Sequence, residues 1–307
     1  MRGALTGALL WLAAAPAWGG GVLPVVTTTT DLKALVEAVG GARVRVVSLA
    51  PALHDPHSVE VKPGALAELK AAALLVRIGL DHEPWLARPL RAVGEARLLP
   101  GGPADLDVSR GIALLDAATP RVRPERGVHV HGFGNPHYWL DPENARPITE
   151  RIQGALARLA PDDAALFEAN RARFLRELDS GLARWRHALA PYPGTRVVVA
   201  HETWPYFARR FGLTVVAALE PTPGVPPSAA YLATLTERMK AARVPLLIAE
   251  PSTNASLVSQ VTARAGARAV TLIPSVGGDP GARDYLALFD VNIARLAAAL
   301  AVAPAAR

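Results

Sequence analysis

Eight histidines and no cysteine make imidazole the strongest soft-side metal donor this chain can offer. Five of the eight, His54, His57, His129, His131 and His137, fall in or beside Pro/Gly-containing loops. A sixth, His201, ends the apolar run Val197-Val198-Val199-Ala200. A neutral imidazole is a nitrogen donor of borderline softness, suited to zinc, and a tetrahedral site needs four donors or three plus a carboxylate or water. Histidines arriving from separate loops could converge on one ion. Their wide spacing alone fits scattered surface and cap histidines equally well.

The elements that must carry these residues alternate in type. An apolar run over 22–30 is followed by Asp31, a good helix N-cap, and by Leu32, Leu35, Val36 and Val39 at helical spacing, closed by Gly40-Gly41. Strands are expected at 44–49 and 74–78, with helices at 63–72 and 84–93. From Pro142 to about Ala190 the pattern turns almost wholly helical, with one break at Pro161. Strand and helix then alternate again: strands at 196–200, 214–219, 246–249 and 269–273, with a last helix from about Tyr285. Such alternation implies parallel sheets in an α/β layer architecture, and in those sheets the carboxyl ends of the strands line the ligand crevice. His201 sits at such an end. Segments 100–103 and 120–136 are rich in Pro and Gly and read as loops, the second as a candidate mobile flap.

Composition sets the class. At 307 residues and 50% hydrophobic, the chain is long enough for two modest cores. Residues 1–19 combine one cation, a short apolar run and small residues at Ala15 and Ala17, the pattern of a cleaved signal peptide. That apolar run falls short of the roughly 20 residues a spanning helix needs. Without cysteine there is no disulfide framework, no thiolate zinc site and no lipidated cysteine. The formal charge of +6 is spread over Arg-rich helix faces such as 171–186, with no aromatic-interleaved basic strip, so nucleic-acid binding is not expected.

Three segments carry a more specific signal: Asp55-Pro56-His57-Ser58-Val59-Glu60, Asn135-Pro136-His137-Tyr138-Trp139-Leu140-Asp141-Pro142 and His201-Glu202-Thr203-Trp204-Pro205. In type and order they resemble the ligand segments of the zinc/manganese solute-binding proteins of ABC importers, the TroA-like or ZnuA-like family. The likeness runs from about Val25 to Leu300 and includes Gly79-Leu80-Asp81-His82-Glu83-Pro84-Trp85, Glu250-Pro251 and 284–290. It implies two α/β lobes with parallel sheets, joined by a long rigid helix, with the metal in the cleft between them. The expected division is signal peptide 1–19, amino-terminal lobe 20–141, helical linker 142–190 and carboxyl-terminal lobe 191–307.

Carried over residue by residue, the resemblance makes His57, His137 and His201 the metal ligands. The fourth position departs from the family pattern. Where many members place an aspartate after the last strand, this chain has Ser275, which leaves Glu250, Asp279 or a water molecule to complete the shell. His129 and His131 stand where zinc-binding relatives carry a histidine-rich loop, here much shortened. Manganese carriers commonly hold a carboxylate at the third position, so His201 favours Zn2+ over Mn2+. The implied role is that of a soluble, monomeric periplasmic carrier passing zinc to an ABC transporter permease, with a periplasmic metallochaperone as a further candidate partner. Two rival readings fit the sequence less well. A zinc hydrolase is disfavoured because Pro205 occupies the place of the second histidine in the zinc-protease helix signature and no Gly-x-Ser-x-Gly is present. A surface adhesin, a role given to some relatives, is disfavoured by the lack of an anchor cysteine.

Overall fold

Short β-branched and aliphatic runs, each buried on both faces, are what parallel sheets require, and the chain builds two of them. The computed structural model describes residues 21–54, 57–115, 134–220 and 225–302. Strands β1 (Leu23–Thr27), β2 (Val44–Ser48), β3 (Leu74–Arg77) and β4 (Asp105–Asp107) form a parallel sheet in the order β2-β1-β3-β4. Strands β5 (Arg196–Val199), β6 (Thr214–Ala218), β7 (Leu246–Ala249) and β8 (Arg268–Thr271) form a second, in the matching order β6-β5-β7-β8. The α/β architecture with two parallel sheets is as expected.

Strand alternation sorts the core. Leu23, Val25, Leu74 and Val76 of the first sheet, and Val197, Val199, Leu246 and Ile248 of the second, all point into one continuous cluster. The intervening Val26 and Leu75 face a separate cluster on the outer side of the first sheet, and Val198 and Leu247 do the same on the second. Helices α2 (Pro63–Ala71) and α3 (Ala87–Val93) cover the first outer face. Helices α7 (Ala229–Ala241) and α8 (Ala255–Ala265) cover the other. Between the sheets lie α1 (Thr30–Gly40), α4 (Ala145–Leu159), α5 (Ala164–Leu189), the short α6 (Pro205–Arg210) and α9 (Tyr285–Ala301). Their buried faces merge into the shared central cluster. The length suffices for two modest cores; the molecule has one core shared by both sheets and a satellite layer outside each.

Helix α5, at 26 residues, spans about 39 Å at 1.5 Å per residue. It packs on α1, α4 and α9, as a spine should. At the turn into this helical region Asp141 is buried, and Arg210 of α6 grips its carboxylate with two bonds of 2.6 and 2.9 Å.

Two details differ from the sequence reading. Strand β4 was not anticipated, because Asp-Leu-Asp has no β-branched or aromatic signal. It forms because Arg77 of β3 binds both flanking carboxylates, with bonds of 2.7 and 3.0 Å to Asp105 and 3.1 Å to Asp107. The expected N-cap, Asp31, is not the cap. Thr29 takes that role, its hydroxyl accepting from the Leu32 amide, while Asp31 lies one residue inside the helix.

Asp31 is fully buried, and its carboxylate reaches across to accept the Val276 amide at 2.9 Å. Burial pushes its pKa up to about 7, against the opposing pull of the hydrogen bonds from Val276 and Ser275. The sign follows directly. Because the folded-state value lies above the unfolded value, the charged carboxylate costs stability. That cost is absent below about pH 4, grows as pH rises towards 7, and is constant above. Asp31→Asn should therefore raise unfolding free energy at pH 8 by up to about 4 kcal/mol and change it little at pH 4. Urea unfolding of the metal-free protein at both pH values checks this; an equal effect at the two would show that the carboxylate's charge is not the cause.

Candidate metal centre

The site forms where the carboxyl ends of the two sheets face each other. His57 lies in the connection between β2 and α2, with 6% of its surface exposed, and its Nδ1 faces the His82 carbonyl oxygen at 3.0 Å. His137 is 3% exposed. Asn135 fixes it, its Oδ1 accepting from the His137 amide and facing the ring Nδ1, both at 2.9 Å. The Asn135 side-chain amide in turn donates to the Glu202 carbonyl at 2.8 Å, beside the third histidine.

After His137 comes one 3-10 turn, Tyr138–Leu140, whose three side chains are all buried. Tyr138 donates its hydroxyl to the Ile78 carbonyl and Trp139 donates its indole N–H to the Pro274 carbonyl. The apolar Tyr-Trp-Leu triplet thus clamps the His137 backbone between the lobes. His201 follows β5 directly, and Ala200 is still bonded to Ile248 of the neighbouring strand. Its Nδ1 stands 3.6 Å from a Glu220 carboxylate oxygen.

The three expected ligands do come together. One nitrogen from each of His57, His137 and His201 lies within 4.8 Å of the other two, and the ring centroids are 5.3, 5.8 and 6.3 Å apart. The Nε2 atoms of His57 and His137 are 3.2 Å apart. Two nitrogens bound to one tetrahedral zinc at about 2.0–2.1 Å would be separated by about 3.3 Å, so the pair is already at ligand spacing. In each ring the Nδ1 faces an oxygen, the arrangement that holds a metal-binding imidazole in its orientation.

A pocket of about 270 Å³ opens over these rings, and Glu220, Glu250 and Ser275 stand on its wall. Glu250 follows β7, and Trp204 Nε1 donates to its carboxylate at 3.2 Å. Burial raises its pKa, while His201 and the hydrogen bonds from Thr203 and Trp204 act against that shift. For His201 burial disfavours the charged ring, but Glu220, Glu250 and Glu202 outweigh it and its pKa is raised.

Asp279, the other carboxylate expected near the fourth position, is not brought to the histidines. Its oxygens accept from the Gly281 amide at 2.7 Å and from Arg295 at 2.6 Å, and Ser275 and Gly278 occupy the wall instead. His54 is exposed at the pocket rim and His187 is exposed on α5. His129 and His131, with most of the candidate flap, lie outside the described residues. Glu220 is a site residue that the sequence reading passed over. The reasoning applied to Glu250, a carboxylate at a strand end just before a proline, would have found it.

Known proteins resemble this chain in sequence and in fold. Residues 25–299 match the family model described as ZnuA, zinc-uptake complex component A, periplasmic. The zinc-binding lipoprotein AdcA of Streptococcus pneumoniae strain R6 is 29% identical over 266 residues, covering 83% of this chain and 50% of that protein. The chain thus spans about half the length of its streptococcal relatives. The high-affinity zinc uptake system protein ZnuA of Paracoccus denitrificans is 28% identical and is covered over 87% of its length, against 86% of this chain. A crystal structure of ZnuA superposes with a TM-score of 0.75 at 27% identity, over 91% of this chain and 99% of that one.

Proposed function

This chain belongs to the ZnuA family of periplasmic zinc-uptake components, and on that premise we propose that it is a high-affinity zinc carrier that hands its ion to the membrane permease of an ABC importer. The observation that carries this reading is the convergence of three imidazoles, from three separate connections, at the spacing of a single coordination shell. His57, His137 and His201 are the ligands in this reading. Glu250 is the fourth donor we favour, because it stands on the pocket wall beside His201, whereas the Arg295 and Gly281 bonds give Asp279 a role in shaping its own loop.

A fourth protein donor closes the shell that a zinc hydrolase keeps open for water, so the site suits capture and release rather than catalysis. The same reading takes the protein as a periplasmic monomer after removal of residues 1–19, with lobes at 20–141 and 191–307 on either side of the 142–190 linker. No helix among the described residues is long and apolar enough to cross a membrane.

Metal choice tests the reading. Three imidazoles favour compact zinc coordination, while manganese prefers oxygen donors and a larger shell. Competition titration should show zinc bound more tightly than manganese by the unaltered protein, and His201→Glu should lower the zinc-to-manganese affinity ratio. Equal affinity for the two ions in the unaltered protein, or an unchanged ratio in the variant, would remove the zinc assignment and leave the manganese carrier of the same family as the better reading.

A further inference from the structure

A fourth imidazole lies beneath the three. His82 is wholly buried, and neither of its ring nitrogens has a hydrogen-bond partner among the described residues. A neutral imidazole carries one donor and one acceptor, and leaving either unmet in the interior forfeits the hydrogen bond it makes with water in the unfolded chain. Leucine or phenylalanine would fill the same space without that cost, so packing alone does not account for a histidine here.

Its surroundings point to a ligand. The His82 ring centroid is 4.5 Å from that of His57 and 5.8 Å from that of His137, but among the described residues only the outer triad has one nitrogen of each ring within 4.8 Å of the other two, so His82 must shift to join them. Trp139 stands edge-on to it at 5.2 Å. Its Nδ1 is 3.8 Å from Glu83 Oε1, too long for a hydrogen bond yet close to the 3.6 Å between His201 Nδ1 and Glu220. The Glu83 carboxylate is held in place by Thr28 Oγ1 and by the Ile78 and Gly79 amides at 2.6, 2.7 and 3.1 Å. His82 therefore has the attribute shared by the three outer rings, an oxygen beside Nδ1 that can accept its proton once Nε2 meets a metal. His57, His82 and His137 also all precede the α5 spine, whereas His201 belongs to the second sheet.

We propose that His82 is a reserve metal ligand, which with His57 and His137 forms an inner triad that holds the ion when His201 does not. The proposal rests on the outer triad of the preceding reading and shares two of its ligands. The ion then need not be left with only two nitrogens. As His201 lets go, His82 restores a third imidazole, and the ion stays with the first lobe.

The test counts imidazoles around bound zinc by X-ray absorption and measures affinity by competition titration. It uses the full chain and the variants His82→Leu, His201→Ala and His82→Leu/His201→Ala, with His82→Phe replacing His82→Leu throughout if the leucine variant does not fold. In the unaltered protein three imidazoles are expected, and His82→Leu should leave both the count and the affinity within about threefold. His201→Ala should still show three. The double variant should show two, with a further fall of at least about tenfold, the lower end of what even an outer-shell partner's loss costs. Two imidazoles in His201→Ala, or an equal effect of His82→Leu in both backgrounds, would overturn the proposal while leaving the outer triad standing. Fewer than three imidazoles in the unaltered protein would instead remove the outer triad itself.

Discussion

Replacing His137 with alanine is expected to abolish tight zinc binding, lowering affinity by more than about a hundredfold, because even loss of a partner that merely orients a ligand costs 10–100-fold. Of the three proposed ligands, His137 is the most firmly set. Asn135 holds its amide and its ring, and the buried Tyr138-Trp139-Leu140 turn fixes its backbone between the lobes. The apo variant should still fold, since that turn and the Asn135 bond to the residue 137 amide do not need the ring. For the unaltered protein, zinc at a thousandfold excess over its dissociation constant should add about 4 kcal/mol to unfolding free energy. In His137→Ala that increment should largely vanish at the same zinc concentration. Stoichiometric, tight zinc in the variant would falsify the ligand assignment.

Acid should release the metal over a narrow range. An imidazole binds metal only when neutral, so affinity is complete above the imidazole pKa values and is lost as pH falls through them. A free imidazole, with a pKa of about 6.5, is only about 3% neutral at pH 5, so a site of three imidazoles is expected to lose about four decades of affinity between pH 7.5 and 5. His201 moves the upper edge of this window. Its pKa is raised, burial being outweighed by Glu220, Glu250 and Glu202, so it takes up a proton at a higher pH than a free imidazole does. Isothermal titration across that range checks the slope. An affinity unchanged from pH 7.5 to 5 would exclude a site built mainly of histidine.

Much of this site is legible in the sequence because its ligands sit at strand ends and within distinctive short segments. His201 follows an unmistakable apolar strand, and the Asn-Pro-His-Tyr-Trp-Leu-Asp-Pro run marks both a proposed ligand and the buried turn that clamps it. What stays hidden depends on contacts between distant residues. Strand β4 exists through Arg77, nearly thirty positions away. Asp31 reads as a helix cap because nothing local reveals that Val276 and Ser275 will claim its carboxylate. Asp279 and Glu250 are equivalent on paper, and only the folded loops show that Arg295 holds one while the other faces the histidines. The shared central core is hidden for a related reason, since hydrophobic periodicity says which face of an element is buried but not against what.

Helix α9 has a consequence of a different kind. Its Phe289 packs against Trp185 of the spine and against Phe207, its Asn292 exchanges two hydrogen bonds with Ile273, and the Tyr285 hydroxyl donates to the Trp139 carbonyl within the turn that follows His137. The last described helix therefore closes a core whose first strand begins at Leu23. A polypeptide emerging from the ribosome lacks these side chains until α9 has been made, and pairings so distant in sequence carry a high loop-closure cost and fold slowly. On the proposed export reading, that delay keeps the nascent chain threadable, and the metal centre takes shape only after α9 has reached the compartment where it meets its ion.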